Sequence, residues 1–367
     1  MPPQTLTTRQ LNRALLARQW LLARKRRSVR DAVHALAGLQ SQEPKDPYVA
    51  LWSRIEGFEP QRLRDAGRRK RIVRGSYLRG TLHTASADDF IALRLLLQPV
   101  IDREVAARRK LMVGFEATAL ESAARALMAD APLTAQQLGE RLQPRFPAAQ
   151  KAGIAYWVRN RIALAIVPGE ERWGYRRPPL FVPAEQWLEC PLSRDTPQAA
   201  LLLRGLSAIG PASAADLRAW SGMAGIGPVL EALRPQLRSF RDEGGRELFD
   251  LPAAPRPRAE TPAPVRLLPE YDNVLLSHAD RTRIQPPRHA HHFVAANGRR
   301  PCALLVDGFV RGAWRNASAH GAATIEVRLF EKIPAAARAE VGVEAEALLR
   351  MLEPDATACD VRVLASR

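Results

Sequence analysis

Two glutamines separated by one serine are the residues whose type and spacing most clearly suggest chemistry: Gln40 and Gln42, in the stretch AGLQSQEPKDPY. On an α-helix these positions would point about 200° apart, whereas in an extended segment they share a face. Pro44 and Pro47 disfavour the helical conformation for the residues before them, so the helix leading into this stretch should end near Gln40. The sequence therefore predicts two neutral amides side by side at the mouth of a turn.

Two amides can orient a water molecule and stabilise a developing positive charge, but they supply neither a strong acid nor a strong base. Such a pair suits hydrolysis of a bond whose leaving group departs easily. Glu43 and Asp46 adjoin the pair and are the alternative, because a carboxylate could activate the water. An acid beside proline and lysine is more often a turn residue, and glutamines at a helix end can simply be solvated.

The charge pattern predicts a polyanionic partner. The chain has 55 Lys and Arg against 38 Asp and Glu, a formal net charge of +17, and only six of these cations are lysines. Arginine binds phosphate bidentately, so nucleic acid is favoured over an anionic membrane, although abundant arginine can also reflect genomic base composition. The residues predicted to contact DNA lie in clusters on both sides of the glutamines: Arg24, Lys25, Arg26, Arg27, Arg30, Arg68, Arg69, Lys70, Arg71, Arg74 and Arg79.

The spacing of cysteine and histidine gives no metal or disulfide signature. The cysteines are widely spaced with no CxxC pair: Cys190, Cys302 and Cys359. Three histidines that lie close together have no acid or cysteine at matching spacing: His289, His291 and His292. We therefore expect neither a metal nor an organic cofactor. His83 lies on a predicted strand, where a structural histidine bonded to the backbone is the expected role.

Targeting signals are not evident either. The stretch MPPQTLTTRQ is polar, and no apolar run reaches the roughly 18 residues that a membrane span needs. We expect a cytoplasmic, nucleoid-associated monomer.

Helix and strand patterns in the first third are typical of a winged helix. Residues 8–23 have helical periodicity, and Ser28 with Asp31 predicts the start of the helix that leads to the glutamines. YVALWSRI predicts a second apolar helix, and RRKRIVRGSYLRGTLHTAS predicts a basic pair of strands.

The same pattern then recurs twice. Thr134 is a predicted helix cap, AGIAYWVRNRIALAIV predicts a longer helix, and RWGYRRPPLFV predicts a glycine-punctuated strand pair. Ser213 is the next predicted cap, and a hairpin should turn at Gly244–Gly245.

The last part of the chain has a different, β-rich pattern. Residues 252–264 contain five prolines and predict a stiff linker. Beyond it, VRLLP, NVLLS, ALLVDGFVRGAWR and ATIEVRLF predict strands, with a hairpin turn at Asp307–Gly308, before a helix and a last strand. The predicted class is α+β, with three tandem winged-helix units and a C-terminal β-rich domain. The predicted bounds are 1–112, 113–192, 193–252 and 253–367.

A family resemblance rests on these stretches. LNRALLARQWLL, GLQSQEPKDPYVALWSRIEGF and LRGTLHTAS, with PASAADLRAWSG, LLPEYDNVLLSHADR and VDGFVRGAWR later, resemble the bacterial tandem winged-helix DNA glycosylases of the azinomycin-resistance and YcaQ-like group. In that group a Q-x-Q or Q-x-D pair is the catalytic element, which maps onto Gln40 and Gln42. The crosslink-unhooking proteins carry Asp at the second position, so Gln42 resembles the azinomycin-resistance branch, while the polar Ser41 departs from the apolar residue common between the pair.

The resemblance implies a monofunctional DNA glycosylase that removes N7-alkylated, bulky or crosslinked purines from duplex DNA and leaves an abasic site. The chemistry agrees, since the loss of such a base passes through an oxocarbenium-like state and the cationic base leaves without a strong acid. Two alternatives from other classes are a non-catalytic winged-helix DNA-binding protein or transcription regulator, and a scaffold that binds protein. A regulator has no need of the glutamine pair.

Overall fold

A computed structural model gives the fold for residues 3–294 and 300–365. Helices and strands are mixed along the chain, so the α+β class is confirmed. Within these residues, no helix is long and apolar enough to cross a membrane.

The first segment carries the glutamines. Its elements are β1 (Thr5–Leu6), α1 (Thr8–Arg18), α2 (Val29–Ala35), β2 (Leu39–Gln40), α3 (Asp46–Trp52), α4 (Pro60–Arg68), β3 (Ile72–Ser76) and β4 (Leu82–Ser86). Strands β3 and β4 form an antiparallel hairpin, and β2 pairs with the other edge of β4, which gives the strand order β2-β4-β3. The Ser28 side chain caps α2 by accepting from the Asp31 N–H, as predicted.

The second segment corrects two predictions. Its elements are α5 (Ala87–Leu93), α6 (Gln98–Ala107), α7 (Ala117–Asp130), α8 (Ala135–Leu142), α9 (Lys151–Arg161), β5 (Leu164–Ile166), β6 (Phe181–Pro183) and α10 (Ala184–Leu188). The helix predicted to run to Val167 ends at Arg161, because Ile162 is extended and the apolar residues after it pair with β6. The predicted strand pair in RWGYRRPPLFV is therefore wrong, and only its last residues form a strand. Thr134 caps α8 in a reciprocal capping box with Gln137, as predicted.

The third segment follows its prediction closely. Its elements are α11 (Gln198–Ile209), α12 (Ala214–Ser221), α13 (Ile226–Leu233), β7 (Arg238–Asp242) and β8 (Glu247–Asp250). Ser213 caps α12 in a reciprocal box with Asp216, and the β7–β8 hairpin turns through Gly244 and Gly245, where Gly245 has a φ of +79°. Strand β1 from the start of the chain pairs in parallel with β7.

The last segment is built on a five-stranded sheet. Its elements are β9 (Arg266–Leu268), α14 (Asn273–Leu276), β10 (Cys302–Val306), β11 (Phe309–Ala319), β12 (Ala322–Leu329), α15 (Ala335–Leu352) and β13 (Ala358–Leu364). The sheet order is β13-β12-β11-β10-β9, and α15 covers one face with a buried apolar stripe. Asp307 and Gly308 form the predicted turn, both with positive φ. The strand predicted in NVLLS is wrong: Asp272 caps a short helix there by accepting from the Val274 N–H.

One order of elements recurs in the first three segments: a helix, a short strand or single bridge, two further helices and an antiparallel pair of strands. The bridge is Leu133 with Phe181 in the second segment and Ala212 with Phe249 in the third. In each case the bridged residue pairs with the last strand of its segment, as β2 does with β4.

Helix α1 joins the first segment to the later ones. The Thr8 N–H donates to Glu243 Oε2 over 2.8 Å, across 235 positions of sequence. Arg9 pairs with Asp307, and Arg18 makes a buried bidentate pair with Asp250 at 2.8 Å. Helix α1 is therefore held by residues far apart in the chain.

Candidate active site

Gln40 lies in a strand, where the sequence predicted a helix end. Helix α2 ends at Ala35 because Ala37 and Gly38 are both left-handed, with φ of +57° and +89°. The prediction that this helix runs to Gln40 is therefore wrong. The Asn273 amide secures the turn by donating to the Leu36 and Gly38 carbonyls at 3.0 and 2.8 Å. The chain then enters β2, where Gln40 lies opposite His83.

The backbone between the two glutamines is held from both sides. The Ser41 N–H donates to the Leu82 carbonyl over 2.8 Å. The Ser41 carbonyl accepts from the buried Arg74 guanidinium, at 3.1 Å to Nε and 2.7 Å to Nη2. Arg74 in turn lies over the Tyr175 ring at 4.8 Å, and burial lowers the Arg74 pKa. Arg74 thus contacts the glutamine stretch itself, although the sequence predicted a phosphate contact for it.

The Gln40 side chain is buried, with 8% of the residue exposed, and is bound by Arg79. Arg79 Nη2 donates to Gln40 Oε1 over 2.8 Å and lies 3.3 Å from His83 Nε2, while Nη1 donates to the Trp220 carbonyl over 2.8 Å. Because a guanidinium only donates, the atom of Gln40 that faces Arg79 must be the oxygen. Burial of the guanidinium, and then the charge of Arg281, lower the Arg79 pKa to about 10, so Arg79 stays charged at neutral pH.

Arg79 has an unusual backbone conformation for its residue type. Its φ of +56° and that of Gly80, +69°, form the turn between β3 and β4. A left-handed conformation costs a non-glycine residue roughly 1–2 kcal/mol. Gly222, at the end of α12, packs so closely that a Cβ there would lie 3.1 Å from the Arg79 Cα. The third segment therefore holds this turn in place.

His83 is neutral in this arrangement. The side chain is fully buried, Nδ1 lies 3.0 Å from the Thr81 carbonyl, and Nε2 faces Arg79. Burial, and then the Arg79 charge, lower the His83 pKa to about 3. Nδ1 therefore carries the proton and donates to the backbone, the hydrogen bond expected for His83.

Gln42 and Glu43 lie in different surroundings from Gln40. Gln42 is exposed in a bend after β2, and its side chain makes no hydrogen bond to residues 3–294 or 300–365. The glutamines thus share one short stretch, but no hydrogen bond joins their amides. Arg177 Nη2 donates to Glu43 Oε2 over 2.9 Å.

Asp46 is a buried carboxyl next to this stretch, at the start of α3, with 2% of the residue exposed. Burial raises the pKa of Asp46 to about 8; Glu270 raises it further and Lys45 opposes the shift. Its Oδ2 makes no hydrogen bond within the described part of the chain. Asp46 therefore carries a proton at neutral pH, a property that its position in the sequence could not reveal.

The other cations predicted to bind DNA divide into two groups. Some pair with acids: Arg24 with Glu344, Arg26 with Glu56, Arg30 with Asp88, Arg68 with Glu170, and Lys70 with Glu189. Others are exposed and have no ion pair among the residues that the structure describes: Lys25, Arg27, Arg69 and Arg71.

Two of the three histidines, and two aspartates of the stretch LLPEYDNVLLSHADR, have structural partners. His289 bonds Glu331 at 2.9 Å, and His292 stacks on Phe330 with ring centroids 3.8 Å apart. Asp272 makes a buried bidentate pair with Arg54, and Asp280 pairs with Arg246. Across residues 3–294 and 300–365, no group of three His, Cys, Asp or Glu side chains could hold a metal.

Comparison of the structure with solved structures identifies the fold, and comparison of the sequence with family models identifies the family. The structure matches that of Streptomyces sahachiroi DNA glycosylase AlkZ with a TM-score of 0.77 and 19% identity, covering 98% of this chain and 100% of the other. The model of the family described as DNA glycosylase AlkZ-like matches residues 33–351. The chain therefore belongs to the AlkZ-like family of DNA glycosylases, which hydrolyse N-glycosyl bonds, and the resemblance seen in the sequence is confirmed. No curated protein sequence matches the chain significantly.

Proposed function

We propose that this protein is a monofunctional DNA glycosylase that hydrolyses the N-glycosidic bond of N7-alkylated purines, bulky or crosslinked, in duplex DNA. The observation that carries the proposal is the Gln40–Gln42 stretch, whose backbone is bonded on both sides while one amide is buried and the other exposed. Fixed polar groups of this kind lower a barrier by orienting the reactants in advance.

The reaction needs little from the protein because the leaving base is already cationic. The N9–C1′ bond breaks with its electron pair moving to the purine, and positive charge develops on the sugar. A water oxygen bonds to C1′, and its proton is released to solvent. Gln40 Oε1 has a second lone pair besides the one that accepts from Arg79, so it can accept from this water, and the Gln42 amide can bond it from the exposed side. Water as nucleophile and a cationic leaving group require no cofactor.

A single activity without strand cleavage is proposed because the lysine nearest to the glutamines in the sequence is bonded elsewhere. An amine that attacks C1′ would form a Schiff base and lead to strand cleavage. Lys45 Nζ instead donates to Asn316 Oδ1 over 2.8 Å. The product is then an abasic site in an intact strand.

The architecture that we propose for binding DNA consists of three winged-helix units, 1–112, 113–192 and 193–252, followed by a linker and β-rich domain, 253–367. The recurring order of elements supports it, since each segment ends in an antiparallel strand pair whose last strand also pairs with the strand or bridge before the second helix. A monomer would bind duplex DNA through the exposed cations that flank the glutamine stretch in the sequence.

The test is incubation with duplex DNA that carries a single N7-methylguanine, followed by chromatographic detection of the free base. We expect release of the base and an abasic strand that breaks only after alkaline treatment. A second duplex with a crosslinked N7-alkylpurine tests the bulky substrates. Binding without release of any alkylpurine would overturn the proposal in favour of a DNA-binding regulator, and strand cleavage without alkali would overturn the monofunctional assignment.

A further inference from the structure

Arg79 is a cation whose hydrogen bonds all go to neutral groups. Its guanidinium bonds the Gln40 side chain and the Trp220 carbonyl and faces the neutral His83 ring. Among the residues that the structure describes, no carboxylate forms an ion pair with it. Arg54 and Arg18 differ, since they pair with Asp272 and Asp250, whereas the buried Arg74 and Arg94 likewise have no ion pair among the described residues.

Such an arrangement is costly for stability alone. The guanidinium of Arg79 is partly buried, and a partly buried charge without an opposite charge loses hydration and recovers only neutral hydrogen bonds. The backbone at Arg79 is also left-handed, where glycine or asparagine would fit without strain. Unfavourable features of this kind concentrate where geometry serves function.

The bonds of Arg79 restrict the Gln40 amide to one orientation. A free glutamine amide can rotate by half a turn and exchange its oxygen and nitrogen, which nearly coincide in shape. With Arg79 Nη2 fixed between Gln40 Oε1 and His83 Nε2, the exchanged orientation would place two donors against each other. The Trp220 carbonyl accepts from the other terminal nitrogen, Nη1, so the third segment sets the position of the guanidinium.

We propose that Arg79 is a positioning residue that locks the Gln40 amide with its oxygen in place to accept from the attacking water. This inference rests on the proposed glycosylase function and goes beyond it, because it gives a role in the chemical step to a residue that does not touch the substrate. It also replaces the phosphate contact that the sequence predicted for Arg79.

The main variant is Arg79→Asn, because asparagine suits the left-handed turn but cannot bridge the three acceptors. The measurements are the single-turnover rate of N7-methylguanine release and the Kd for the same duplex at several salt concentrations. We expect the rate to fall about tenfold or more, with Kd changed less than about twofold and the salt dependence of Kd unchanged. Arg79→Lys keeps the charge but can make only some of the guanidinium's hydrogen bonds. Its rate should therefore lie between those of the wild type and Arg79→Asn.

Arg103→Ala is the matched control. Arg103 donates to the Gly222 carbonyl at the same end of α12, but no contact joins it to Gln40. Its rate should equal that of the wild type. A rate loss as large as that of Arg79→Asn would mean that packing at α12 is responsible, and the inference would fail.

A double variant separates positioning from general damage. In a Gln40→Ala background, Arg79→Asn should cause no further loss of rate, since the amide that it orients is gone. A further tenfold loss there would contradict the inference. So would a wild-type rate in Arg79→Asn, or a weaker Kd with a salt slope smaller by about 0.9, which marks a lost phosphate contact. If Arg79→Asn does not fold, Arg79→Lys provides the test, and wild-type kinetics in that variant would contradict the proposed role of the Arg79 guanidinium.

The proposed glycosylase function and the proposed role of Arg79 can fail independently of each other. If the wild-type protein releases no N7-methylguanine, the function is wrong for this substrate. If the wild type is active and the arginine variants match it, only the role of Arg79 is wrong.

Discussion

The two glutamines lie two positions apart but belong to different regions of the molecule. Around Gln40, buried donors meet fixed acceptors, and the nearby histidine is neutral. Gln42 is exposed, and exposed cations of the clusters that flank the glutamines in the sequence, such as Arg27 and Arg69, have no ion pair among the described residues. The interior is suited to holding one geometry, whereas long, exposed cations are suited to attracting DNA at a distance. Changes in the first region should therefore alter the rate, and changes in the second should alter affinity.

The largest effect is expected from the glutamines themselves. Gln40→Ala and Gln42→Ala should each lower the single-turnover rate of N7-methylguanine release by about 10²-fold or more, because each removes a group that orients the water. Duplex affinity, measured by fluorescence anisotropy, should be nearly intact.

Two further variants complete that test. The double glutamine variant should lose less than the product of the single losses, since both amides act on one water. Glu43→Ala is the control with a carboxylate on the same stretch. An equal or larger loss in Glu43→Ala would move the role to the carboxylate, and full activity in the double variant would reject the mechanism.

The exposed region should respond in the opposite way. Replacing Arg27, Arg69 and Arg71 together with Ala should weaken duplex binding about tenfold at moderate salt and reduce the slope of log K against log salt by up to about 0.9 per lost contact. The rate at saturating enzyme should change little. Arg350→Ala, on α15 and outside these clusters, is the control. An unchanged salt slope in the triple variant would place the DNA elsewhere.

Asp46 belongs to the buried region, and pH reveals its contribution. The folded protein keeps the Asp46 proton up to a pKa of about 8, whereas the unfolded chain loses it near the ordinary aspartate pKa of about 4. The contribution of Asp46 to the free energy of unfolding is thus fully present below pH 4 and is lost as the pH rises to 8. Asp46→Asn has no proton to lose. Relative to the wild type, its free energy of unfolding should rise by on the order of 1–2 kcal/mol between pH 5 and pH 8 in urea titrations. A constant difference across this range would show that Asp46 is ionised in the fold.

The smallest effect should come from the cap of α8, far from both regions in the sequence. Thr134→Ala removes the hydrogen bond to the Gln137 N–H and should lower the free energy of unfolding by about 1 kcal/mol. Excision and binding by the folded variant should match the wild type. Thr134→Ser, which keeps the hydroxyl, is the control, and a loss of rate in Thr134→Ala alone would mean that the second segment shapes the site.

What the sequence could predict depends on the range of the interaction. The caps at Ser28, Thr134 and Ser213 and the turn at Asp307–Gly308 are decided by neighbouring residues, and their positions are confirmed. The strand at Leu164–Ile166 was missed because its partner β6 begins 15 residues after β5 ends, beyond a loop.

The candidate site was predictable only in part for the same reason. Gln40 and Gln42 could be identified by their spacing and family resemblance. The bond from Arg79 to the Trp220 carbonyl spans 141 positions, and no local pattern marks it. Its place in a basic cluster next to the glutamines predicted a DNA contact for Arg79, because burial cannot be read from one strand. Burial, and then the charge of Glu270 from a distant loop, raise the pKa of Asp46, and no local pattern marks either cause.

The attachment of α1 and β1 to late parts of the chain also determines when this protein can finish folding. Strand β1 needs β7 beside it, and Thr8 needs Glu243, which is 235 positions later. At a synthesis rate of roughly 5–20 residues per second, that distance takes about 10–50 seconds on the ribosome. Until the third segment has been synthesised, the buried face of α1, with Leu11 and Leu15, has no partner from it. The residues of β1 and α1 are thus synthesised well before the partners that complete their contacts.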